Sequence, residues 1–278
     1  MAICDLCYRH CNIPEGKYGF CEVRTCRNGI IVPDNYGKIT ALALDPIEKK
    51  PLNHFFPGSK ILSVGSYGCN LRCPFCQNYH ISWSDKVSIS KREARYLSPE
   101  NLAAIADEQR INGNIGVAFT YNEPLISYEY ILDTAKILAS MNLKTVLVSN
   151  GMADINTVHD LFSYVDAMNI DLKGFTDHYY EDVLKGNRQM VMDFITESVK
   201  YCHVELTTLI VPGENDSDKE MEFLSSWIAT LNPEIPLHIS RFFPRFHMED
   251  RNATPIETIY QLKDIAEHHL TYVYTGNC

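Results

Sequence analysis

From Ile61 onward, apolar runs of strand length alternate with stretches of helical spacing, and this alternation narrows the fold more than any other feature of the chain. The runs are I-L-S-V-G-S at 61–66, G-V-A-F-T at 116–120, K-T-V-L-V-S at 144–149 and V-D-A-M-N-I-D-L at 165–172. They continue with H-V-E-L-T-T-L-I at 203–210, I-P-L-H-I-S at 235–240 and L-T-Y-V-Y-T at 270–275. Helical spacing fills 99–112, 127–141, 154–163, 188–201, 217–230 and 255–269. Ser98-Pro99-Glu100 and Thr254-Pro255 read as helix starts, with Ser or Thr capping and Pro in the first helical position. Such alternation implies parallel strands joined by right-handed crossovers. Six or seven units suit an α/β barrel better than a doubly wound sheet, because no G-x-G-x-x-G follows the first strand. In such barrels reactive groups gather at the C-terminal ends of the strands.

Residues 1–57 have a different character and read as a cysteine-rich N-terminal segment ahead of a barrel over 58–278. Two short strands are expected around the turn Pro33-Asp34-Asn35-Tyr36-Gly37. Eight of the ten cysteines fall within the first 76 residues. A disulfide framework needs an oxidising compartment. Here the N-terminus lacks the basic-then-apolar pattern of a signal peptide, and no apolar run approaches the ~18 residues of a membrane span. The expectation is a cytoplasmic protein whose short cysteine spacings serve metal. With 35 acidic against 25 basic residues and a net charge of −10, neither nucleic acid nor a membrane is an expected partner.

Directly after the first barrel strand, S-Y-G-C-N-L-R-C-P-F-C-Q-N carries Cys69, Cys73 and Cys76 as C-x3-C-x2-C. Three thiolates on one short loop can hold three irons of a cubane and leave the fourth open. Zinc prefers four ligands, commonly from two separated knuckles. A second group, Cys4, Cys7, Cys11 and Cys21, follows C-x2-C-x3-C-x9-C with Cys26 nearby, and can close a four-thiolate site for zinc or for a second iron–sulfur cluster. Reduced free cysteines are the plainer alternative there. Cys202 reads as a small packed residue.

With Phe75 before its last cysteine, the C-x3-C-x2-C loop resembles that of radical S-adenosylmethionine (SAM) enzymes. The chain further resembles the pyruvate formate-lyase activating enzymes and, most of all, the AmmeMemoRadiSam radical SAM family. The residues that carry this are D-P-I-E-K-K-P-L-N-H-F-F-P-G-S at 45–59, G-C-N-L-R-C-P-F-C-Q-N at 68–78, Y-N-E-P at 121–124, N-I-D-L-K-G-F at 169–175, L-I-V-P-G-E-N-D at 209–216 and Y-T-G-N at 274–277. The resemblance implies a partial (β/α)6 TIM-like barrel, one [4Fe-4S] cluster on Cys69, Cys73 and Cys76, and reductive cleavage of SAM to a 5′-deoxyadenosyl radical. It implies SAM contacts from Phe75 and from Asn122 and Glu123, which stand where the family has a Gly-Gly-Glu motif; Tyr121 and Asn122 replace its two glycines. Ser149 and Asn150 match the segment facing the methionyl part, and Asp171 and Lys173 match binders of the ribose hydroxyls and carboxylate. Val211 matches an adenine shelf, and His238 a second carboxylate contact. Taken singly, each is ordinary: an Asp-x-Lys is often a solvated pair, and a lone His on an apolar strand is often a core residue.

The resemblance also implies an external electron donor such as flavodoxin or ferredoxin. The radical would act on a protein glycine, as in glycyl-radical activases, or on a small molecule or peptide. Residues at strand ends that could face such a substrate are Asn78, Tyr121, Arg241, Arg245 and Tyr274. A non-catalytic electron-transfer or zinc module is the alternative from a different class, and it has no use for Asp171, Lys173 or a three-cysteine loop.

Overall fold

The computed structural model describes residues 1–83 and 87–278. One eight-stranded sheet organises it, built from β1 (Ala41–Pro46), β2 (Lys60–Gly65), β3 (Asn114–Phe119), β4 (Lys144–Ser149), β5 (Ala167–Asp171), β6 (His203–Ile210), β7 (Leu237–Arg241) and β8 (Val273–Gly276). Each strand neighbours the next in sequence; β2 to β8 run parallel. All seven apolar runs of the sequence are strands. Among the described residues β1 and β8 do not pair with each other, so the architecture is a partial barrel, mostly parallel, of the TIM type.

Helices Pro99–Glu108, Tyr128–Ser140, Arg188–Ser198, Asp218–Leu231 and Ile256–Ala266 follow β2, β3, β5, β6 and β7 in the expected places; after β4 the helix expected over 154–163 is a single α turn, Ile155–Val158, running into 3-10 turns over His159–Ser163. Their buried faces, with Leu102, Ile131, Phe194, Leu224 and Leu262, pack on the outward side chains of the sheet, including Leu62, Val64, Val117 and Leu147. The Ser98 side chain accepts from Asn101 N–H and Pro99 takes the first position, as the sequence predicts. Thr254 does not cap its helix. It is fully buried; its hydroxyl donates to Ile210 O and accepts from Phe242 N–H, tying the ends of β6 and β7. At Gly116 a Cβ would run into the Lys144 carbonyl, so only glycine permits the approach of β3 to β4 there.

The N-terminal region departs from the sequence reading in its pairing. Ile30–Pro33 forms a hairpin with Arg24–Arg27, and Lys38–Ile39 pairs with Arg95–Tyr96. β1 lies antiparallel on β2, with Ala41 opposite Gly65 and Pro46 opposite Lys60. The edge strand 41–46 thus extends the barrel sheet by one antiparallel strand. Ile47, Leu52 and Phe55 enter a second core with Ile61, Ala118, Val146 and Ala167, positions that share the inner face of β2 to β5. Segment 47–55 is a plug in the barrel floor, and burying its apolar side chains contributes roughly 1.5–3 kcal/mol each.

Polar bonds fix the plug. Glu205 on β6 is fully buried and accepts from Asn53 N–H (3.0 Å), His54 N–H (2.7 Å), His203 (2.9 Å) and His238 (2.6 Å). The Asn169 amide donates to Pro51 O at 2.9 Å. His54 reaches Tyr274 OH at 2.6 Å. On the edge strand β1, Asp45 takes bonds from Lys50 of the plug (2.9 Å) and from Tyr121 OH (2.9 Å). Burial would raise the Asp45 carboxyl, but these donors hold it well below the usual carboxylate range.

Burial likewise opposes ionisation of Glu205, and the two histidines and two backbone donors outweigh it, bringing the carboxyl from 4.5 down to about 2. A carboxyl depressed in the folded state stabilises fully above its unfolded value, and the gain is lost as pH falls towards the folded one. Glu205→Gln should thus cost on the order of 3 kcal/mol at pH 7. Urea unfolding of metal-free protein should show the gap to wild type closing between pH 4.5 and 2. A gap that stays constant with pH would contradict this account of the floor.

Candidate functional site

The segment after β2 that carries Cys69, Cys73 and Cys76 is held by its backbone before any ligand is considered. Asn122, beyond the end of β3, donates its amide to Tyr67 O and Gly68 O (3.2 Å each) and accepts from Ser66 N–H at 2.9 Å. Gly68 has φ +88° and packs against Val23 and the Cys21 carbonyl with no room for a Cβ. Arg72 then folds back to donate to Cys69 O and Leu71 O, both at 2.8 Å, and to Phe20 O. Phe75 is buried edge-on against Phe242.

Donors also reach the sulfurs. Leu71 N–H lies 3.4 Å from Cys69 Sγ and the Asn150 amide 3.8 Å, while Ser82 beside Cys76 favours its thiolate. Such N–H and O–H donors to sulfur set the potential of an iron–sulfur cluster. Burial pushes all three thiols up, Cys73 to about 12; bound metal supplies the deprotonation that water does not. Among the described residues no three His, Cys, Asp or Glu side chains converge on a single-ion site. Three soft sulfurs on one short loop, one buried and two half-buried, suit a polynuclear cluster.

Around this loop the strand ends form two linked groups. In the first, Glu123 is buried and accepts from Leu125 N–H (3.0 Å), Ser149 OH (2.7 Å) and Asn150 N–H (2.8 Å). Burial raises its carboxyl to about 7 against the pull of those donors. Asn150 passes the connection on, bonding Asn70 Oδ1 at 2.9 Å as well as Cys69 Sγ. In the second group Lys173 and Asp171, at the end of β5, pair at 2.9 Å. Burial alone would lower the Lys173 ammonium; Asp171 and Cys73 beside it outweigh that and hold it above the usual lysine range. Asn215 bonds Val211 N–H (2.7 Å), Lys173 O (2.7 Å) and Leu209 O (2.9 Å), joining the ends of β5 and β6.

The structure thus gathers Glu123, Ser149 and Asn150 beside Cys69, and Asp171 and Lys173 beside Cys73, with Val211 joined to Lys173 through Asn215. His238 bonds Glu205 through Nε2 at 2.6 Å and stacks on Tyr274, which ties its strand to the network that holds the plug. Of the residues expected to face a substrate, Tyr121 bonds Asp45, Asn78 bonds Tyr121 O and Arg241 bonds Thr254 O. Cys4, Cys7, Cys11 and Cys21 lie together around one recess. Cys26 is outside it, bonded to Glu15. Cys202 is half-buried against Ser198 O. Asn70, Arg72 and Asn215 were not singled out by the sequence reading; the polar pair inside C-N-L-R-C and the Asn in V-P-G-E-N-D were the available signals.

Comparison with known proteins agrees with this geometry. The model of the radical SAM superfamily matches residues 63–224. An uncharacterized protein of Methanocaldococcus jannaschii is 39% identical over 277 residues, covering 99% of this chain and 80% of the relative. A protein of the same organism described as a candidate glycyl-radical enzyme activating enzyme is 23% identical over 230 residues, 80% of this chain and 82% of that one. Among solved structures, a domain of pyruvate-formate lyase-activating enzyme from Bacteroides vulgatus superposes with a TM-score of 0.50 at 18% identity, over 58% of this chain and 99% of that domain. SuiB of Streptococcus suis bound to S-adenosylmethionine superposes with a TM-score of 0.60 at 12% identity, over 78% of this chain and about half (52%) of SuiB. These two structures share the fold. The chain belongs to the radical SAM superfamily, whose cofactors are a [4Fe-4S] cluster and SAM.

Proposed function

We propose that the chain is an activating-type radical SAM enzyme akin to the AmmeMemoRadiSam group, with its cluster on Cys69, Cys73 and Cys76 and a protein glycine as the source of the abstracted hydrogen. The observation that carries the cluster and SAM assignment is the half-buried Lys173–Asp171 pair at the end of β5, set beside Cys73. Bound together, the cluster and SAM supply a 5′-deoxyadenosyl radical by one-electron cleavage. The residues of the chain do the holding. Lys173 offers a desolvated cation to the methionyl carboxylate, and Asp171 an acceptor to the ribose hydroxyls. Three of the acceptor positions of Glu123 are filled, which leaves one on Oε2 for an ammonium. Such a cation would draw the raised Glu123 carboxyl back to its ionised form. Val211, fixed by Asn215, presents the shelf for adenine, and Phe75 covers the loop from the side of Phe242.

The glycine reading draws on the relative described as a candidate activating enzyme of glycyl-radical enzymes and on the fold shared with the activating-enzyme domain. A reduced flavodoxin or ferredoxin of the cytoplasm would supply the electron. No helix among the described residues is long and apolar enough to cross a membrane.

Three measurements test this. Cys69→Ala, Cys73→Ala and Cys76→Ala should each abolish 5′-deoxyadenosine formation in reduced anaerobic protein while shifting Tm far less, since each removes one sulfur and leaves the bonds that hold the loop backbone in place; activity retained by any one of them sinks the ligand assignment. Lys173→Ala and Asp171→Asn should keep the iron and weaken SAM binding roughly ten- to a hundredfold, the worth of a charge-assisted hydrogen bond; unchanged titrations would remove β5 from the SAM site. Incubation with glycine-deuterated polypeptides should place deuterium in 5′-deoxyadenosine, whereas label arriving only from small molecules would overturn the activase reading.

A further inference from the structure

The four N-terminal cysteines come from separate turns of a segment with little regular structure, yet they line one recess. Cys4, Cys7, Cys11 and Cys21 share its wall with Leu6, Ile13, Phe20 and Asn70. The recess holds about 310 Å³ of space between atoms, its open mouth included. Its shape is fixed by the backbone: Cys4 N–H donates to Cys11 O (3.0 Å), His10 N–H to Cys7 O (3.1 Å) and Gly19 N–H to Arg24 O (2.8 Å). Arg24 N–H also reaches Cys21 Sγ at 3.4 Å, the kind of donor already seen at Cys69. Cys4, Cys7 and Cys21 are buried.

Four thiolates around one recess can each take one iron of a cubane cluster. Zinc also takes four thiolates, at about 2.3 Å, and is the competing occupant that metal analysis tells apart.

The recess also abuts the SAM-cluster loop. Asn70 belongs to both: it lines the recess, and its Oδ1 takes the Asn150 amide that also faces Cys69 Sγ. Arg72 bridges Cys69 O and Phe20 O, next to Cys21, with its guanidinium 3.9 Å from the Phe20 ring centre. The Cys21 carbonyl itself packs on Gly68.

We propose that Cys4, Cys7, Cys11 and Cys21 bind a second iron–sulfur cluster that serves as the port through which electrons enter. It would accept one electron from a reduced one-electron carrier protein, which is oxidised, and pass that electron to the neighbouring SAM cluster, with no atom or proton transferred. The port role rests on the SAM-cleaving function proposed above; the metal site does not.

Anaerobically reconstituted full-length protein should contain about eight irons and eight sulfides per chain, and no zinc. The double variant Cys7→Ser, Cys11→Ser should fall to about four irons, and the triple variant Cys69→Ala, Cys73→Ala, Cys76→Ala should keep about four on the N-terminal set. The triple variant guards against misfolding of the double. One equivalent of zinc, about four irons in wild type, or none in the triple variant would overturn the site. For the port, 5′-deoxyadenosine formation driven by reduced flavodoxin, divided by that driven by dithionite, should drop at least tenfold (~1.4 kcal/mol) in the double variant. An unchanged ratio overturns the port and leaves the iron counts to judge the site. A wild type that makes no 5′-deoxyadenosine with either reductant refutes the proposed function instead.

Discussion

Glu123 carries the site. A carboxylate with almost no access to water is costly unless donors surround it, and the three that do come from its own turn and from the end of β4. Asn150, fixed in this way, is the residue that touches both Asn70 and Cys69 Sγ. Asn122 next to it grips the backbone from Ser66 to Gly68. The position of the cysteine loop relative to β5, and hence of Cys73 relative to Lys173, follows from two adjacent residues after β3. In the Y-N-E-P segment, side-chain amide and carboxylate groups do this anchoring through bonds to backbone that cross from strand to strand.

The polar groups of the barrel sort by height. Bonds near the strand ends orient sulfur and charge, whereas those on the floor, around Glu205 and Asp45, fasten a plug. Both sets are buried and both are satisfied by several donors, which is the condition under which buried polar groups specify one arrangement. Their carboxyls are nonetheless displaced in opposite directions, Glu123 upward and Glu205 downward. Glu205 has two imidazoles among its donors and Glu123 has none.

Much of this was legible in the sequence because it is local. Strand positions follow from apolar runs, and the three-cysteine loop sits where a barrel strand must end. The seven parallel strands and the five main helices lie where periodicity puts them. What escaped depends on partners far away in the chain. Nothing in A-L-A-L-D-P announces an antiparallel edge strand, since its partner is chosen by the hairpin-like return at 47–59. The bond from His238 to Glu205 was hidden because Glu205 lies inside a strand whose pattern reads as ordinary. Thr254 has the composition of a cap, but its hydroxyl found better-placed partners in β6 and β7.

The plug has one more implication. By filling the base of the barrel and lacing across to β8 through His54 and Tyr274, it turns an open-sided cylinder into a cup with a slit in its flank. A cup of this form admits a guest only by its rim or its slit. It therefore sets a limit on the width of the inserted part and almost none on the bulk left outside. A loop projecting from a large folded body could reach the reactive depth as readily as a free metabolite, while bulk water would have no drain from below.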